Sequence, residues 1–328
     1  MGNGIQSDLR KRLIDAHEEG RCLTPRSSLD ANRLRRACRR GDILAPAQQV
    51  YALPELWDTL GPLKRELYTI RALSKLHPDW VFASVSAAIV YGLYVSNRLL
   101  GKTHVLTDPH THSRSSKAIE RHVIPGITPQ IVDDVPVTPL MRTAFDCMRT
   151  SDFRASLAIA DSVLRLSSMS REDLVNEFGQ YDRRHRGMSN AIAVAALADG
   201  RSENGGESTA RAVMIEQGFM IPSLQVEVPD PVDSKNTFRV DFLWKLGNSN
   251  VIGELDGREK YRNPQMTGGR DAVDVLADER LRESHLSGTG AKVMRFSFSD
   301  VLDTPRFCKL LTSYGIPRGF DVPPVAQH

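Results

Sequence analysis

The sequence predicts an α/β protein of several domains, α+β at the level of the whole chain, and three observations carry that prediction. Its 328 residues exceed what one hydrophobic core usually organises. Helical spacing of apolar residues alternates along it with short β-branched runs. A polar, glycine-rich stretch, ADGRSENGGES at 198–208, sets a boundary near residue 201. The expected divisions are residues 1–54, 55–200 and 201–328.

Residues 7–19, SDLRKRLIDAHEE, put Leu9, Leu13, Ile14 and Ala16 at helical spacing, with Ser7 the expected N-cap and Gly20 the stop. LTPRSSLD reads as a turn. ANRLRRACRRGD is helical again: Leu34 and Ala37 face a core, Gly41 ends the helix, and Arg33, Arg35, Arg36, Arg39 and Arg40 crowd the remaining surface. DILAPAQQVYAL reads as a short hairpin of two pieces around Pro46. Helix, turn, basic helix and hairpin make a winged helix-turn-helix pattern, in which the second helix enters the major groove and basic side chains contact phosphates. A run of charge is more often just a solvated face. Five arginines in eight residues, followed by a wing, favour DNA as the partner.

The middle region reads as an α/β connector. WVFASVSAAIVYGL is a strand entering a helix of small residues, and THVLTDPHTHSRSSKAIERHVIP has strand-like ends around a polar turn. In VTPLMRTAFDCMRT, Thr138 is the expected N-cap and Pro139 the first helical residue. Arg142 and Asp146 are spaced for a structural ion pair. SLAIADSVLRL is a helix, followed by the basic patch YDRRHRG. Asp108, His110 and His112 in DPHTH lack a further ligand cluster and read as a solvent-facing turn rather than a zinc site.

Beyond residue 201 the order is α-β-β-β-α-β: ESTARAVMIEQGF, LQVEV, TFRVDFLW, NVIGELDG, AVDVLADERLRESHL and AKVMRFSF. Glu207 begins the first helix, Asp241 sits in the second strand, and Glu254 and Asp256 end the third. Two carboxylates two apart on a strand share a face and repel each other. A hairpin through KLGNS would bring Asp241 to Glu254, with Glu207 one helix away. A hard cation such as Mg²⁺ makes such a cluster tolerable, and metal-bound water chemistry then becomes available. Gly257 allows a sharp turn, and Lys260 beyond it could reach back as a point charge. Asp256 could equally bond the turn backbone, and Glu279 with Arg282 could form an ion pair along their helix or face the cleft.

Composition bounds the rest. Hydrophobic content of 41% and charged content of 25% suit a globular protein. No apolar run approaches the ~20 residues that span a bilayer, and MGNGIQSDLRKRL lacks the apolar core of a signal peptide, so no membrane partner and a cytoplasmic location are expected. Cys22, Cys38, Cys147 and Cys308 are far apart and read as reduced thiols. Residues 1–50 hold ten Lys and Arg against six Asp and Glu, while residues 201–300 hold thirteen against sixteen. The basic end suits an anionic partner and the acidic end a metal.

On RVDFLW, VIGELDGREKY and DERLRESHLSGTGAKVMRF, residues ~203–302 resemble the PD-(D/E)xK nuclease superfold, more closely its very-short-patch-repair (Vsr)-like endonuclease domains. The resemblance implies a restriction-endonuclease-like mixed sheet flanked by helices. It also implies Asp241 and Glu254 as Mg²⁺ ligands, Glu207 assisting, and hydrolysis of a phosphodiester. The superfold usually has lysine two residues after the strand acid, where this chain has Asp256. Either Lys260 replaces that lysine from another backbone position or the site is degenerate. On the basic helix with GDILAPAQQVYAL, on FASVSAAIVYGL and on VTPLMRTAFD, the first ~150 residues resemble AbiEi-like antitoxins of type IV toxin–antitoxin systems. That resemblance implies a DNA-binding regulator with a toxin protein as a second partner. The expected function is a DNA-binding protein with a metal-dependent endonuclease-like C-terminal domain. The alternative is a non-catalytic regulator or antitoxin built on a degenerate nuclease fold.

Overall fold

A computed structural model describes residues 6–108, 115–181, 184–233, 235–247, 249–256 and 272–319, without the side chains of 272–279. Gly257, Lys260, His110 and His112 lie outside the described residues, as does the side chain of Glu279. The chain is mixed α/β and divides into two compact units, 1–147 and 148–328. The division falls inside the stretch expected to form a single connector.

The first unit contains α1 (Ser7–Glu18), α2 (Ser28–Arg39), β1 (Leu44–Ala47), β2 (Val50–Ala52), α3 (Pro54–Trp57), α4 (Pro62–Leu76), α5 (Ser84–Tyr91), β3 (Thr103–Leu106), β4 (Ile119–His122), β5 (Gln130–Val132), β6 (Val135–Val137) and α6 (Leu140–Met148). Leu9, Leu13 and Ala16 of α1 recur every three to four residues and pack with Leu34 and Ala37 of α2, Ile43 and Tyr51. Ser7 is not the N-cap: Gln6 holds that position without a side-chain cap bond, and Ser7 is already helical. The turn-like LTPRSSLD gives its end to α2, because Ser27 caps the helix by accepting the Asp30 N–H at 3.2 Å. Pro46 lies within β1, and the hairpin turns at Gln48 and Gln49, with Gln49 at φ +61°. Proline is tolerated there because an edge strand does not need every N–H.

β3 and β4 pair in parallel, Thr103 beside Ile119. Phe82, fully buried, bridges to Val105 and to Val137 and so joins this pair to the β5–β6 hairpin. Arg142 and Asp146 form the expected ion pair at 2.7 Å.

The second unit contains α7 (Phe153–Ser167), α8 (Arg171–Gly179), α9 (Met188–Ala195), α10 (Gly205–Glu216), β7 (Ser223–Pro229), β8 (Thr237–Leu246), β9 (Ser249–Asp256), α11 (Ala272–Gly288), β10 (Lys292–Ser297), α12 (Phe298–Leu302) and α13 (Thr304–Ser313). The fully buried Asp161 of α7 accepts a hydrogen bond from Arg211 of α10, whose guanidinium also donates to the Leu197 carbonyl at 2.7 Å. A buried ion pair is costly to break, since the abandoned charge stays desolvated. That pair ties α7 to α10, within the unit that begins at residue 148.

The sheet has the order β10-β9-β8-β7. β7, β8 and β9 are antiparallel neighbours, and β10 runs parallel to β9. One face packs Leu224, Phe242, Trp244, Val251 and Phe296 against α10, α12 and α13. The other packs Val240, Leu243 and Ile252 against Leu286 of α11. Cys22, Cys147 and Cys308 are buried and Cys38 is half-buried, and none of the four forms a disulfide among the described residues. Among the described residues no helix is long and apolar enough to cross a membrane.

Candidate functional site

The site begins where the sheet opens. β8 and β9 pair from Leu246–Ser249 to Phe242–Gly253 and then stop. Below that point β8 stays with β7, Val240 beside Val226, while β9 continues with β10, Glu254 beside Arg295. The Leu255 N–H is taken by the Asp241 side chain, Oδ2 at 2.9 Å, rather than by a β8 carbonyl. Asp241 thus reaches across the gap to the backbone next to Glu254. Gly253 makes the last close pairing feasible: a Cβ there would lie 2.9 Å from the Trp244 ring and 3.2 Å from the Phe242 Cβ.

Glu207 enters from α10. Asn204 caps that helix by accepting the N–H groups of Gly206 and Glu207. Glu207 returns the bond, accepting from the Glu203 N–H at 2.7 Å and the Asn204 amide at 2.5 Å. Part of its role is therefore a helix cap. It is only 3% exposed, and burial, helped by the nearby Asp241 charge, pushes its carboxyl up to about 7. Gln225 connects the two acids: its Nε2 lies 3.2 Å from Glu207 Oε2 and 3.3 Å from Asp241 Oδ1.

Glu254 also rises to about 7, mainly through burial, with Asp241 raising it and Arg282 opposing. Arg282 of α11 spans the opening, donating to Glu254 Oε1 at 3.0 Å and to the Arg239 carbonyl on β8 at 2.5 Å. Asp256 is held by the Arg295 guanidinium, Nε at 3.0 Å, and the turn backbone beyond it lies outside the described residues. The structure therefore gathers Glu207 and Asp241 through one amide and sets Glu254 beside them under Arg282. Among the described residues no group of three or more His, Cys, Asp or Glu side chains is placed to hold a metal ion.

The basic helix is less uniform than its sequence. Arg33 turns to Gln6 and Asp8, and Arg40 pairs with Asp42 at 2.7 Å. Arg35 holds Asn32 at 2.8 Å, and Arg36 and Arg39 are exposed. Arg35, Arg39 and Arg26 line a groove of about 650 Å³ with Gln48, Gln49 and Tyr51, and no acid lines it.

Sequence reading missed Gln225, Arg295 and a histidine pair. The only signal for Gln225 was a polar residue inside an apolar strand. Nδ1 of His104 lies 2.9 Å from Nε2 of His122, their rings stacked 5.1 Å apart on neighbouring strands. Burial and the second imidazole push His104 down to about 4.

Fold and site define a mixed α/β protein with an acidic cluster at a split sheet edge. Two Mycobacterium tuberculosis proteins match it: uncharacterized protein MT2308 (strain CDC 1551 / Oshkosh) and uncharacterized protein Rv2248 (strain ATCC 25618 / H37Rv). Each is 31% identical over 220 residues, 67% of this chain and 75% of the relative. The chain belongs to the family of these mycobacterial proteins. No family model and no solved structure matches it.

Proposed function

We propose that this is a DNA-acting protein whose 148–328 unit is a metal-dependent endonuclease-like phosphodiester hydrolase. The observation that carries the reading is the opening of the sheet between β8 and β9, with Asp241 and Glu254 at its two sides. The α-β-β-β-α-β order and the mixed four-stranded sheet support the likeness to the PD-(D/E)xK superfold and its Vsr-like branch.

The donors fit a hard divalent cation chemically. All are carboxylate oxygens, and Mg²⁺ commonly takes one or two protein carboxylates with waters. The raised Glu207 and Glu254 carboxyls reflect negative charge gathered where solvent cannot compensate it, a deficit a cation would offset. Asp241 and Glu254 would hold the ion, which would polarise a phosphate oxygen and activate water. Glu207 supports Asp241 through Gln225, and Lys260 is proposed to act on the phosphate or the water. In the 1–147 unit, Arg35, Arg36 and Arg39 carry the phosphate-contacting face of a winged helix-turn-helix domain.

A second reading rests on its own observation. Arg282 already occupies Glu254, and Arg295 occupies Asp256 where the superfold usually has lysine. That favours a non-catalytic regulator or antitoxin of a type IV system, with a toxin protein as partner. Incubation with supercoiled DNA in Mg²⁺, Mn²⁺ or EDTA separates the two. Metal-dependent nicking supports the hydrolase, whereas metal-independent operator binding without nicking supports the regulator.

A further inference from the structure

We infer that Gln225 is a positioning residue, one that fixes the Glu207 and Asp241 carboxylates to each other at the open sheet edge; the inference rests on the metal-dependent reading above. One amide nitrogen lies within 3.2–3.3 Å of an acid from α10 and an acid from β8. The type of donor matters. A lysine or arginine there would neutralise the acids and compete with a cation, as ion pairs do. A neutral amide orders two carboxylates and leaves their charge intact. Asp241 is then held at both oxygens, by Gln225 at Oδ1 and by the Leu255 N–H at Oδ2.

The backbone carries the same message independently. Gln225 has φ +51°, in the left-handed region that disfavours a side chain. The β7–β8 register passes from Leu224–Phe242 to Val226–Val240 and skips it. Leu224 and Phe242 face the α10 side of the sheet, whereas Val226 and Val240 face the α11 side. In a regular strand residues two apart share a face. Gln225 and Asp241 therefore sit where both strands change face, and the irregularity aims the amide between the acids. Glycine would adopt this backbone without strain. A strained glutamine in its place implies that the side chain is used.

The test compares Gln225→Gly and Gln225→Leu with wild type in the full chain, by Mn²⁺ titration calorimetry and by thermal midpoint. Gln225→Gly removes both strain and amide, and Gln225→Leu removes the amide alone. The expected result is Mn²⁺ affinity at least about tenfold weaker in both, as for other supports of metal ligands, with the Gln225→Gly midpoint at or above wild type. Unchanged Mn²⁺ affinity in both variants would overturn the inference. So would a Gln225→Gly midpoint lower by more than about 5 °C, which would make the residue a structural brace. If wild type binds no Mn²⁺, the metal-dependent reading fails by itself. A double-mutant cycle of Gln225→Leu with Glu207→Gln in EDTA then decides. Midpoint shifts that fail to add by more than about 2 °C uphold the carboxylate bridge, and additive shifts overturn it.

Discussion

Arg282 Nη2 donates to Glu254 Oε1 at 3.0 Å and to the Arg239 carbonyl at 2.5 Å, so one guanidinium bridges the two strands that part at the site. A cation bound to Glu254 must share it with this arginine or displace it. Arg282→Ala should therefore raise Mn²⁺ affinity, by about tenfold if the competition is worth about 1.4 kcal/mol. Without metal the same variant should lose about 1–2 kcal/mol, a modest value because the arginine is 38% exposed. Calorimetry with Mn²⁺ and denaturation in EDTA measure the two effects. Unchanged or weaker Mn²⁺ binding would show that Arg282 and the metal do not compete.

Glu207 and Glu254 give the second unit an unusual pH dependence. Both carboxyls sit at about 7 in the folded chain, above their ordinary value near 4.5. Between those values the folded state holds protons that the unfolded chain has released. Stability in EDTA should fall as pH rises from about 4.5 to about 7 and level off above, each acid costing up to about 3 kcal/mol. Glu207→Gln and Glu254→Gln should each flatten that slope. Denaturation curves across the range check it, and a slope that survives both substitutions would contradict the assignment.

His104 works in the opposite direction in the first unit. Its imidazole is pushed down to about 4, so the folded state resists the proton that an unfolded histidine takes up near 6.5. Its contribution is complete above pH 6.5 and is lost as pH falls towards 4. His104→Gln should reduce acid sensitivity in that window by up to about 3 kcal/mol. Denaturation of the variant from pH 7 to pH 4 measures it, and an unchanged acid limb would mean that the His104–His122 contact is not what titrates.

For DNA binding the arginines of α2 should separate into two groups. Arg35, Arg36 and Arg39 point to solvent or line the acid-free groove, whereas Arg33 and Arg40 are engaged by acids. Alanine at the first three should weaken binding across sequences. Removal of one arginine–phosphate interaction should make the log–log salt slope shallower by about 0.9. Alanine at Arg33 or Arg40 should change it little. Equal losses at all five, measured by fluorescence anisotropy over a salt series, would point to general charge rather than a face.

Much of the C-terminal sheet was legible because its strands are apolar, β-branched or aromatic runs bounded by turn residues. Strand residues such as Val240, Phe242 and Trp244 lie in β8 as expected, β8 and β9 pair as the expected hairpin, and the helix expected from Glu207 begins two residues earlier, at Gly205. The geometry of the site was not legible. That β8 and β9 part after Phe242–Gly253 depends on pairing with other strands, which no local pattern encodes. The bend at Gln225 is made without glycine, so its sequence signal is absent. Arg282 was spaced for an ion pair with Glu279 along the helix, whereas its contact to Glu254 crosses to another element, which helical spacing does not encode. The grouping of α7 with the C-terminal elements was hidden because it involves contacts such as the buried Asp161–Arg211 pair, whose partners lie fifty residues apart. The parallel pairing of β3 with β4 was hidden for a similar reason: a polar connection looks the same whether the chain returns antiparallel or crosses over.

The central proposal is hydrolysis at Asp241 and Glu254, and a cleavage assay tests it most directly. Wild type and the Asp241→Ala, Glu254→Ala double variant would be incubated with supercoiled, linear, mismatched and single-stranded DNA, in Mg²⁺ or Mn²⁺ and in EDTA. Metal-dependent cleavage of at least one DNA form by wild type, absent from the double variant, is the predicted result. No cleavage of any form, or equal cleavage by the double variant, would contradict it.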